Sequence, residues 1–440
     1  MPREAQHGGI FSSLRIRNFR YLWLGQVSHA GALWMEQIAR PFLILDITGG
    51  SEVHLGAVIA VRMLPQLLFG VWAGVVSDWY DRRRILLLDK SAVLAINVAF
   101  AAVIVAGWLE LWHIYVYAFA RGAMMAFDQP ARQSMIPSVV PFHRVTNALA
   151  LMSATQSTMR IAGATLGGLA YAYLGPEGAF SGIAVIYVGA VVTTYLLDVP
   201  THDRPTATGA RAMVRGLAEG ARFAFGDPAI RGVLLLSLVY FAFGMSYMQV
   251  FLPLFADGVF EIGSEGYGLM AALTGVGAVV ASLLIALREP QRLGAILPAL
   301  VMGFGLLLVA FSLATYLSRP AGLIIPLCLI VVIGGAQTSY FALSRSLMLQ
   351  AAPEHLRGRV LSFLSLDRAF MTAGAAAAGF LCAAEGVQVA QIVYGIVCVV
   401  GGLAVVGLDR GFREASALSA GTRLDRFRDR LDPPVEEGRA

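Results

Sequence analysis

The chain has 440 residues, 57% of them hydrophobic and only 14% charged, and its mean hydropathy is +0.69. Because a soluble protein carries about 25% charged residues, this composition excludes a soluble globular protein and indicates a polytopic membrane protein. The net charge of +5 comes from arginines spread over the predicted loops, which favours membrane topology over nucleic-acid binding as its cause. All three cysteines lie within apolar stretches, so the sequence predicts neither a disulfide framework nor a metal site.

Twelve apolar stretches follow one another along the chain, which predicts twelve transmembrane helices. The first stretch is too long for a signal peptide and is interpreted as a retained helix. The stretches are residues 19–45, 55–76, 85–107, 111–130, 147–174, 180–197, 229–255, 266–287, 293–317, 322–349, 360–384 and 387–408.

The connections between these stretches alternate in charge. One set is basic and holds Arg82–Arg84 with Lys90, and Arg132 with Arg144, whereas the other set is acidic and holds residues such as Glu110. Since basic connections remain in the cytoplasm, we predict a multi-pass protein of the inner (plasma) membrane with both termini cytoplasmic.

Residues 200–228 form the longest internal linker, and the stretches on its two sides resemble a duplication. Four pairs of Pro or Gly residues share one offset of 212 residues: Pro41 and Pro253, Gly56 and Gly268, Pro141 and Pro353, and Gly167 and Gly379. We therefore predict an all-α polytopic membrane protein with twelve transmembrane helices in two pseudo-symmetric six-helix bundles, residues 1–199 and 229–408, followed by a cytoplasmic tail at 409–440.

Several arginines fall inside the predicted spans. Each arginine at mid-membrane costs about 2.5–3.5 kcal/mol of insertion free energy even on the scale that gives the lowest values. A water-filled cavity between the halves would avoid most of this cost and is the preferred explanation. Their excess of positive charge favours an anionic or acceptor-rich substrate. The arginines predicted to line this cavity are Arg40, Arg62, Arg121, Arg160 and Arg368.

Proton coupling is predicted for buried carboxylates and a histidine. His29, Glu36 and Arg40 share one face of the first helix, because seven residues fall about 20° short of two turns and four fall about 40° past one. Glu36 is the preferred proton-coupling group, and His29 and Asp367 are the other candidates. The alternative is a Glu36–Arg40 ion pair that only neutralises two buried charges.

Sequence signatures of enzymes are missing. The chain holds no His-Glu-x-x-His, no Gly-x-Ser-x-Gly and no phosphate-binding loop, which also argues against ATP coupling. A membrane-embedded enzyme and a signalling or scaffold protein are the rival classes, and a scaffold would not need charges at mid-membrane. We predict that the protein is not an enzyme, needs no cofactor and uses a proton gradient as its energy source.

The loop between the second and third stretches is short and strongly charged, and it reads Gly74-Val-Val-Ser-Asp78-Trp-Tyr-Asp81-Arg82-Arg83-Arg84. Such a segment cannot lie in hydrocarbon. It is either a topology anchor or a gate in which Asp78 and the arginines pair with groups on the inner face.

Three motifs resemble the major facilitator superfamily, and the resemblance covers residues 15–410. The loop motif Gly74-x3-Asp78-x2-Asp81-Arg82-Arg83 is similar to that of the family, although Asp81 stands where glycine is commonest. The fourth stretch offers a similar arginine-glycine pair, Arg121-Gly122. The fifth resembles an exporter motif, with alanine in place of its proline: Gly163-Ala164-Thr165-Leu166-Gly167-Gly168. Residues 18–26 and 128–132 resemble the bacterial branch of the enterobactin exporter and macrolide-efflux proteins.

This resemblance implies a secondary active transporter, namely a proton-coupled exporter of a bulky organic molecule, siderophore-like or drug-like, that works by alternating access. The alternatives are an importer or facilitator of a small organic solute on the same fold and, more distantly, a membrane-embedded enzyme. The resemblance also implies a cytoplasmic latch in which Asp78 and Arg82 act with Asp128. The predicted partners are a small organic substrate and the lipid bilayer, without nucleic acid, and we predict a monomer.

Overall fold

The computed structural model describes residues 12–79, 81–141, 144–198, 222–288, 293–351 and 366–408. Within these residues the chain is almost entirely helical and has no strand. After a 3-10 turn, Ser12–Arg15, the N-terminal half forms α1 (Arg17–Thr48), α2 (Glu52–Trp79), α3 (Arg82–Val105), α4 (Leu111–Val139) and the segment Val145–Tyr195, which Gly175 divides into α5 (residues 145–174) and α6 (residues 176–195). The C-terminal half forms α7 (Pro228–Val239), α8 (Gly263–Arg288), α9 (Leu293–Ala314), α10 (Ala321–Ala351), α11 (Leu366–Glu385) and α12 (Val387–Leu408).

The chain reverses direction between α5 and α6. Gly175 has φ 67° and ψ −175°, a conformation that glycine adopts without strain, and the following residue is a proline. On α5, contacts with α1 advance in the same direction, from Gln26–Gln156 to Gly31–Gly163. On α6 the contacts with α1 run in the opposite direction along the chain. The twelve predicted helices are therefore all found, which confirms the fold class.

Helix α7 is longer than the sequence predicts. It begins at Pro228 behind the N-cap Asp227, whose carboxylate accepts a hydrogen bond from the Ile230 amide at 2.9 Å. Beyond Val239 it continues through three π-helical segments and one short α-helical segment. These are Tyr240–Gly244, Tyr247–Phe251, Leu252–Leu254 and Phe255–Val259.

Lys90 and Arg132 do not lie in connections, so this part of the charge interpretation is wrong. Lys90 lies within α3 and is only 3% exposed, and α4 continues past its predicted end at residue 130, so that it contains Arg132 as well as Asp128. The physical reason is pairing, because Lys90 and Arg132 both bind the carboxylate of Asp128 inside the protein. A positive charge with a buried partner is no longer a signal for a loop.

Among the described residues, eight helical stretches are long and apolar enough by themselves to cross a membrane, and one of these is the whole α5–α6 hairpin. Neither α1 nor α4 is among the eight. These two helices carry Glu36, Arg40, Arg121 and Asp128, so their lower hydropathy reflects charges that the protein buries.

The helices group into two compact units. The first unit contains Met1–Ala207 with Ser246–Val276 and Met371–Ala390, and the second contains Thr208–Met245, Gly277–Phe370 and Gln391–Ala440. Four helical segments of the C-terminal half are thus divided between the units: α7 with its continuation to Val259, α8, α11 and α12. The predicted bundle boundary at the linker stays a prediction, because residues 199–221 lie outside the described residues.

Two close helix contacts inside the first unit display the predicted repeat. Gly56 of α2 faces Gly379 of α11, and a Cβ at Gly56 would lie 2.5 Å from a backbone carbonyl oxygen of α11. Gly268 of α8 faces Gly168 of α5, where a Cβ would lie 2.9 Å from a carbonyl oxygen of α5. The offset of 212 residues relates Gly56 to Gly268, and it relates Gly379 to Gly167, the neighbour of Gly168. Equivalent contacts at equivalent positions confirm that the two halves are pseudo-symmetric.

Aromatic packing dominates the described core of the second unit. Tyr240 stacks on Tyr340 with ring centroids 4.1 Å apart and meets Phe304 edge-on at 5.1 Å. The Tyr340 hydroxyl lies 3.1 Å from Ser237 Oγ. Tyr240 and Tyr340 are almost fully buried, so they act here as packing residues.

Candidate functional site

Glu36 is the centre of a buried ionic cluster that three helices build. Glu36 and Arg40 lie one turn apart on α1, Arg62 comes from α2 and Arg121 from α4. Arg40 Nη1 and Arg62 Nη1 lie 3.0 Å and 3.1 Å from Glu36 Oε1. Arg121 binds Oε2 from Nη2 at 2.7 Å and from Nε at 3.1 Å. Each of these side chains is at most 4% exposed. Folding therefore unites four residues that the sequence selects. We call them the Glu36 cluster.

Charge within the Glu36 cluster does not balance, because three guanidinium groups surround one carboxylate. Within the described part of the chain, Arg40 Nε and Arg62 Nε have no hydrogen-bond partner. Removing one member of a buried ion pair is costly, since it leaves an uncompensated charge out of water. The surrounding guanidinium groups therefore favour the ionised form of Glu36, and the predicted Glu36–Arg40 pair is one part of a larger network.

Arg62 and Arg121 can both reach Glu36 because α2 and α4 approach very closely at Gly122. A Cβ at this position would overlap the carbonyl oxygen of Arg62, so glycine is the residue that fits. The two residues of the arginine-glycine pair act together. Gly122 lets α2 and α4 pack closely, and the Arg121 side chain extends from this contact to Glu36.

A second group of ionisable side chains surrounds Asp128, and we call it the Asp128 cluster. Its carboxylate binds Lys90 Nζ directly, and Arg132 Nε lies 3.2 Å from Oδ2. His29 Nε2 lies 3.6 Å from the same oxygen. Lys90 Nζ also lies 3.0 Å from His29 Nδ1, and the Tyr187 hydroxyl lies 3.0 Å from that nitrogen. Because a charged lysine only donates, Nδ1 must accept, and neutral His29 carries its proton on Nε2, facing Asp128.

Asp89 belongs to the Asp128 cluster but is far less well satisfied. Its Oδ2 lies 3.7 Å from Lys90 Nζ, beyond hydrogen-bond distance. Neither carboxylate oxygen of Asp89 has a hydrogen-bond partner in the part of the chain that the structure describes. The side chain is nevertheless only 2% exposed. A buried carboxylate without hydrogen bonds is an exception that calls for a functional explanation.

One small cavity connects the two clusters. It has room for about one water molecule, which is too little for an organic substrate. Its walls include the charged or polar groups of five helices of the N-terminal half and two methionines. The lining residues are His29, Leu33, Arg62, Asp89, Val93, Arg121, Met124, Met125, Asp128 and Tyr187.

The other predicted site residues lie elsewhere. Arg160 of α5 is half-buried, with its Cζ 5.1 Å from the ring centroid of Trp34. Asp367 and Arg368 begin α11 in the second unit, where both are half-buried. Their roles in proton coupling and substrate binding stay predictions.

The charged loop motif is described only in part. Asp81 is the N-cap of α3, and its carboxylate accepts a hydrogen bond from the Arg84 amide at 3.0 Å. A glycine would lack this side-chain cap, which accounts for the departure from the family motif. Arg83 Nη2 donates to the Tyr195 carbonyl oxygen at 2.8 Å. The surroundings of Gly74 and the side chains of Asp78 and Arg82 lie outside the part of the chain that the structure describes. The predicted latch of Asp78, Arg82 and Asp128 therefore stays a prediction.

The glycines of the helix-5 motif are packing positions. A Cβ at Gly163 would lie 2.9 Å from the Gly31 carbonyl oxygen, and one at Gly167 would lie 2.7 Å from Met35 Cα. Both therefore let α5 pack closely on α1. Gly168 faces α8, where Ser264 Oγ donates to its carbonyl oxygen at 3.2 Å.

Asp89 and Lys90 are the residues of this candidate site that the sequence interpretation missed. They are adjacent, oppositely charged and placed inside the apolar stretch 85–107. The signal was therefore present, because two charges well within a predicted span are expensive unless they are paired or used.

Comparison with known proteins identifies the family. The profile described as transmembrane secretion effector, of the major facilitator type, matches residues 8–432. The staphyloferrin A transporter of Staphylococcus aureus is 26% identical over 349 residues, which cover 78% of this chain and 83% of that protein. The multidrug efflux pump Tap of Mycolicibacterium fortuitum is 27% identical over 386 residues, which cover 85% and 91% of the two chains.

Among solved structures, the nucleoside transporter NupG is similar to this chain, with a TM-score of 0.69 and 14% identity over 90% of this chain and 99% of that one. At this identity the similarity shows the fold alone. The predicted resemblance is confirmed, and so is the prediction that the protein is not an enzyme, because family and relatives are transporters. The chain thus belongs to the transmembrane secretion effector family of the major facilitator superfamily, whose members move molecules across membranes.

Proposed function

We propose that the protein exports a small organic molecule across the plasma membrane in exchange for protons. The observation that carries this proposal is the pair of buried ionic clusters around a water-sized cavity. Ionisable groups inside a membrane span are expensive, and they mark ion pathways and proton relays. The names of the relatives, a staphyloferrin A transporter and a multidrug efflux pump, support an organic substrate and outward movement.

Alternating access is supported by the two glycine contacts in the first unit. Both join a helix of the N-terminal half to a helix of the C-terminal half, and both lie at the helix ends remote from Arg82–Arg84. If Arg82–Arg84 face the cytoplasm, as proposed, these contacts close the outer end of the first unit. Export then requires that α2 separate from α11 and that α8 separate from α5.

The charge of the site supports an anionic or acceptor-rich substrate. The Glu36 cluster carries two more positive than negative charges, and Arg62 and Arg121 also line the cavity. An anionic group that approaches this side of the cavity would offset part of that excess. A cationic substrate would add to it.

The test uses inside-out membrane vesicles that contain the full-length protein. The vesicles are loaded with protons by respiration, and a pH-sensitive dye reports proton release when carboxyfluorescein, an anionic probe, or ethidium, a cationic probe, is added. Coupled export predicts proton release with carboxyfluorescein, accumulation of the probe inside, and loss of both with a protonophore. Uptake of a probe without proton movement, or movement in the opposite direction, would refute the proposal.

A pair of glycine variants tests the access mechanism in the same vesicles. Gly56→Leu places a side chain where even a Cβ lies 2.5 Å from a backbone oxygen, so this end could no longer close and transport should fall at least tenfold. Gly303→Leu is the matched control, because a Cβ there meets nothing within 4 Å. Equal activity of the two variants would contradict alternating access at this contact.

A further inference from the structure

Among the described residues of the first unit, three buried carboxylates are available to bind a proton, and they differ in how well they are paired. Glu36 has three arginines around it, and Asp128 has Lys90, Arg132 and the Nε2 side of His29. Adding a proton to Glu36 would leave three buried guanidinium groups without their carboxylate. Adding one to Asp128 would take the recorded partner from Arg132 and leave Lys90 with Asp89 alone, at 3.7 Å, so both changes are unfavourable. Neither group gives up its negative charge easily.

Asp89 is the exception among the three. Its one cation within 4 Å among the described residues is Lys90, which lies closer to Asp128 than to Asp89. A proton on Asp89 would leave Lys90 fully paired with Asp128, so no buried cation would lose its partner. Protonation would also remove a buried negative charge that lacks hydrogen bonds.

The surroundings of Asp89 include a cavity that could hold a proton-carrying water molecule. Asp89, His29 and Asp128 all line the same cavity, which has room for about one water molecule. A water there could pass a proton between the Asp89 carboxylate and the cavity. The charged and titratable groups that face Asp89 from its own helix and from the helices around it are Lys90 on α3, His29 on α1, Arg62 on α2, Arg121, Asp128 and Arg132 on α4, and Tyr187 on α6.

We propose that Asp89 is the group that binds and releases the transported proton, whereas Glu36 stays ionised throughout the cycle. The inference rests on the proposed proton coupling and names its residue. When a hydronium ion in the cavity gives a proton to Asp89, one O–H bond of the hydronium breaks, an O–H bond forms on the carboxylate, and a neutral water molecule remains. Lys90 then binds Asp128 alone. When Asp89 loses the proton, Lys90 is again attracted by two carboxylates. Binding of one proton thereby changes the contact between α3 and α4.

Difference infrared spectroscopy on the purified full-length protein tests this assignment without a substrate. A protonated buried carboxyl group gives a C=O stretching band that shifts in heavy water. We expect this band to appear in the wild type as the pH is lowered from roughly 8 to 5, because burial disfavours the charged form of a carboxyl group. Asp89→Asn should remove it, and because asparagine resembles neutral aspartic acid in size and charge, this variant should fold. A band of undiminished intensity in Asp89→Asn, or no band in the wild type over this range, would overturn the proposal.

The vesicle assay separates this inference from the proposed function. With carboxyfluorescein, Asp89→Asn should lose proton-driven accumulation at least tenfold and keep the exchange of labelled for unlabelled probe, which needs no net proton movement. Undiminished proton-driven accumulation in Asp89→Asn would refute Asp89 as the coupling group. If the wild type itself moves no protons, the proposed coupling fails, while the infrared band still decides whether Asp89 binds a proton.

Discussion

The two ionic clusters of the first unit lie beside one cavity and are built in opposite ways. The Glu36 cluster has one carboxylate and three guanidinium groups, so its acid is saturated and its cations are in excess. The Asp128 cluster has two carboxylates, one lysine, one arginine and a neutral histidine, and one of its acids lacks hydrogen bonds. The comparison teaches that burial and charge alone do not identify a proton carrier. The carrier is the acid whose neutral form the surroundings can tolerate.

The largest effect is expected when the Glu36 cluster loses its carboxylate. Glu36→Gln would leave Arg40, Arg62 and Arg121 buried without a counter-charge, which should cost about 3–5 kcal/mol of stability. The measurement is the thermal unfolding midpoint and the monodisperse yield in detergent. Glu36→Asp keeps the charge and serves as the control, with a smaller loss expected. A Glu36→Gln protein as stable as the wild type that lacks only proton coupling would instead make Glu36 the carrier, as the sequence predicted.

A smaller effect is expected at the helix contact that assembles the same cluster. Gly122→Ala would push α2 and α4 apart at the Arg62 carbonyl, and overpacking of this kind costs about 1–3 kcal/mol. The comparison is made with Gly303→Ala, where a Cβ meets nothing and alanine should be neutral or slightly stabilising. The two unfolding midpoints measure the difference. An unchanged midpoint for Gly122→Ala would show that the close approach does not hold the Glu36 cluster together.

The smallest effect is expected at Tyr187, which touches both clusters. Its ring centroid lies 5.7 Å from Lys90 Nζ and 5.7 Å from Arg121 Cζ, and its hydroxyl faces His29 Nδ1. Tyr187→Phe keeps the ring and removes the hydroxyl's hydrogen bond with His29 Nδ1 and the longer one, 3.4 Å, that it accepts from Lys90 Nζ, so stability should fall by only about 1 kcal/mol. The infrared titration should nevertheless shift along the pH axis, because the change lies beside the proposed proton site.

Tyr117→Phe is the matched control for that prediction. The Tyr117 hydroxyl donates to Asn97 Oδ1 at 3.1 Å and is equally buried, but it contacts no member of the Asp128 cluster among its recorded bonds. The control should lose similar stability and keep the wild-type titration. If both variants shift the titration equally, the effect is a general one of core packing, and the special position of Tyr187 is refuted.

Prediction from sequence succeeded wherever a local pattern has a direct physical cause. Twelve apolar stretches predicted the helices, and the offset between Gly56 and Gly268 predicted a duplication that the helix contacts confirm. The buried arginines Arg62 and Arg121 were selected because their cost in a membrane demands a partner. Sequence spacing also placed Glu36 and Arg40 on one face of α1, where they form an ion pair.

Prediction failed where the partner of a charge comes from a distant part of the chain. Lys90 was interpreted as a loop residue. Its partner, Asp128, could not be foreseen because it lies 38 residues away on another helix. His29 was grouped with Glu36 by helical periodicity, but its described contacts are with Lys90, Tyr187 and Asp128.

The sequence by itself therefore determined that this protein is a duplicated, twelve-helix membrane protein that buries many charges. These features follow from composition and periodicity, which act along the chain. Only the tertiary structure decided which charge pairs with which. It surrounded Glu36 with three arginines and left the oxygens of Asp89 without hydrogen bonds beside a water-sized cavity. The physical reason is that the cost of a buried charge depends on the few ångströms to its partner, and distances across helices are set by packing, not by position in the chain.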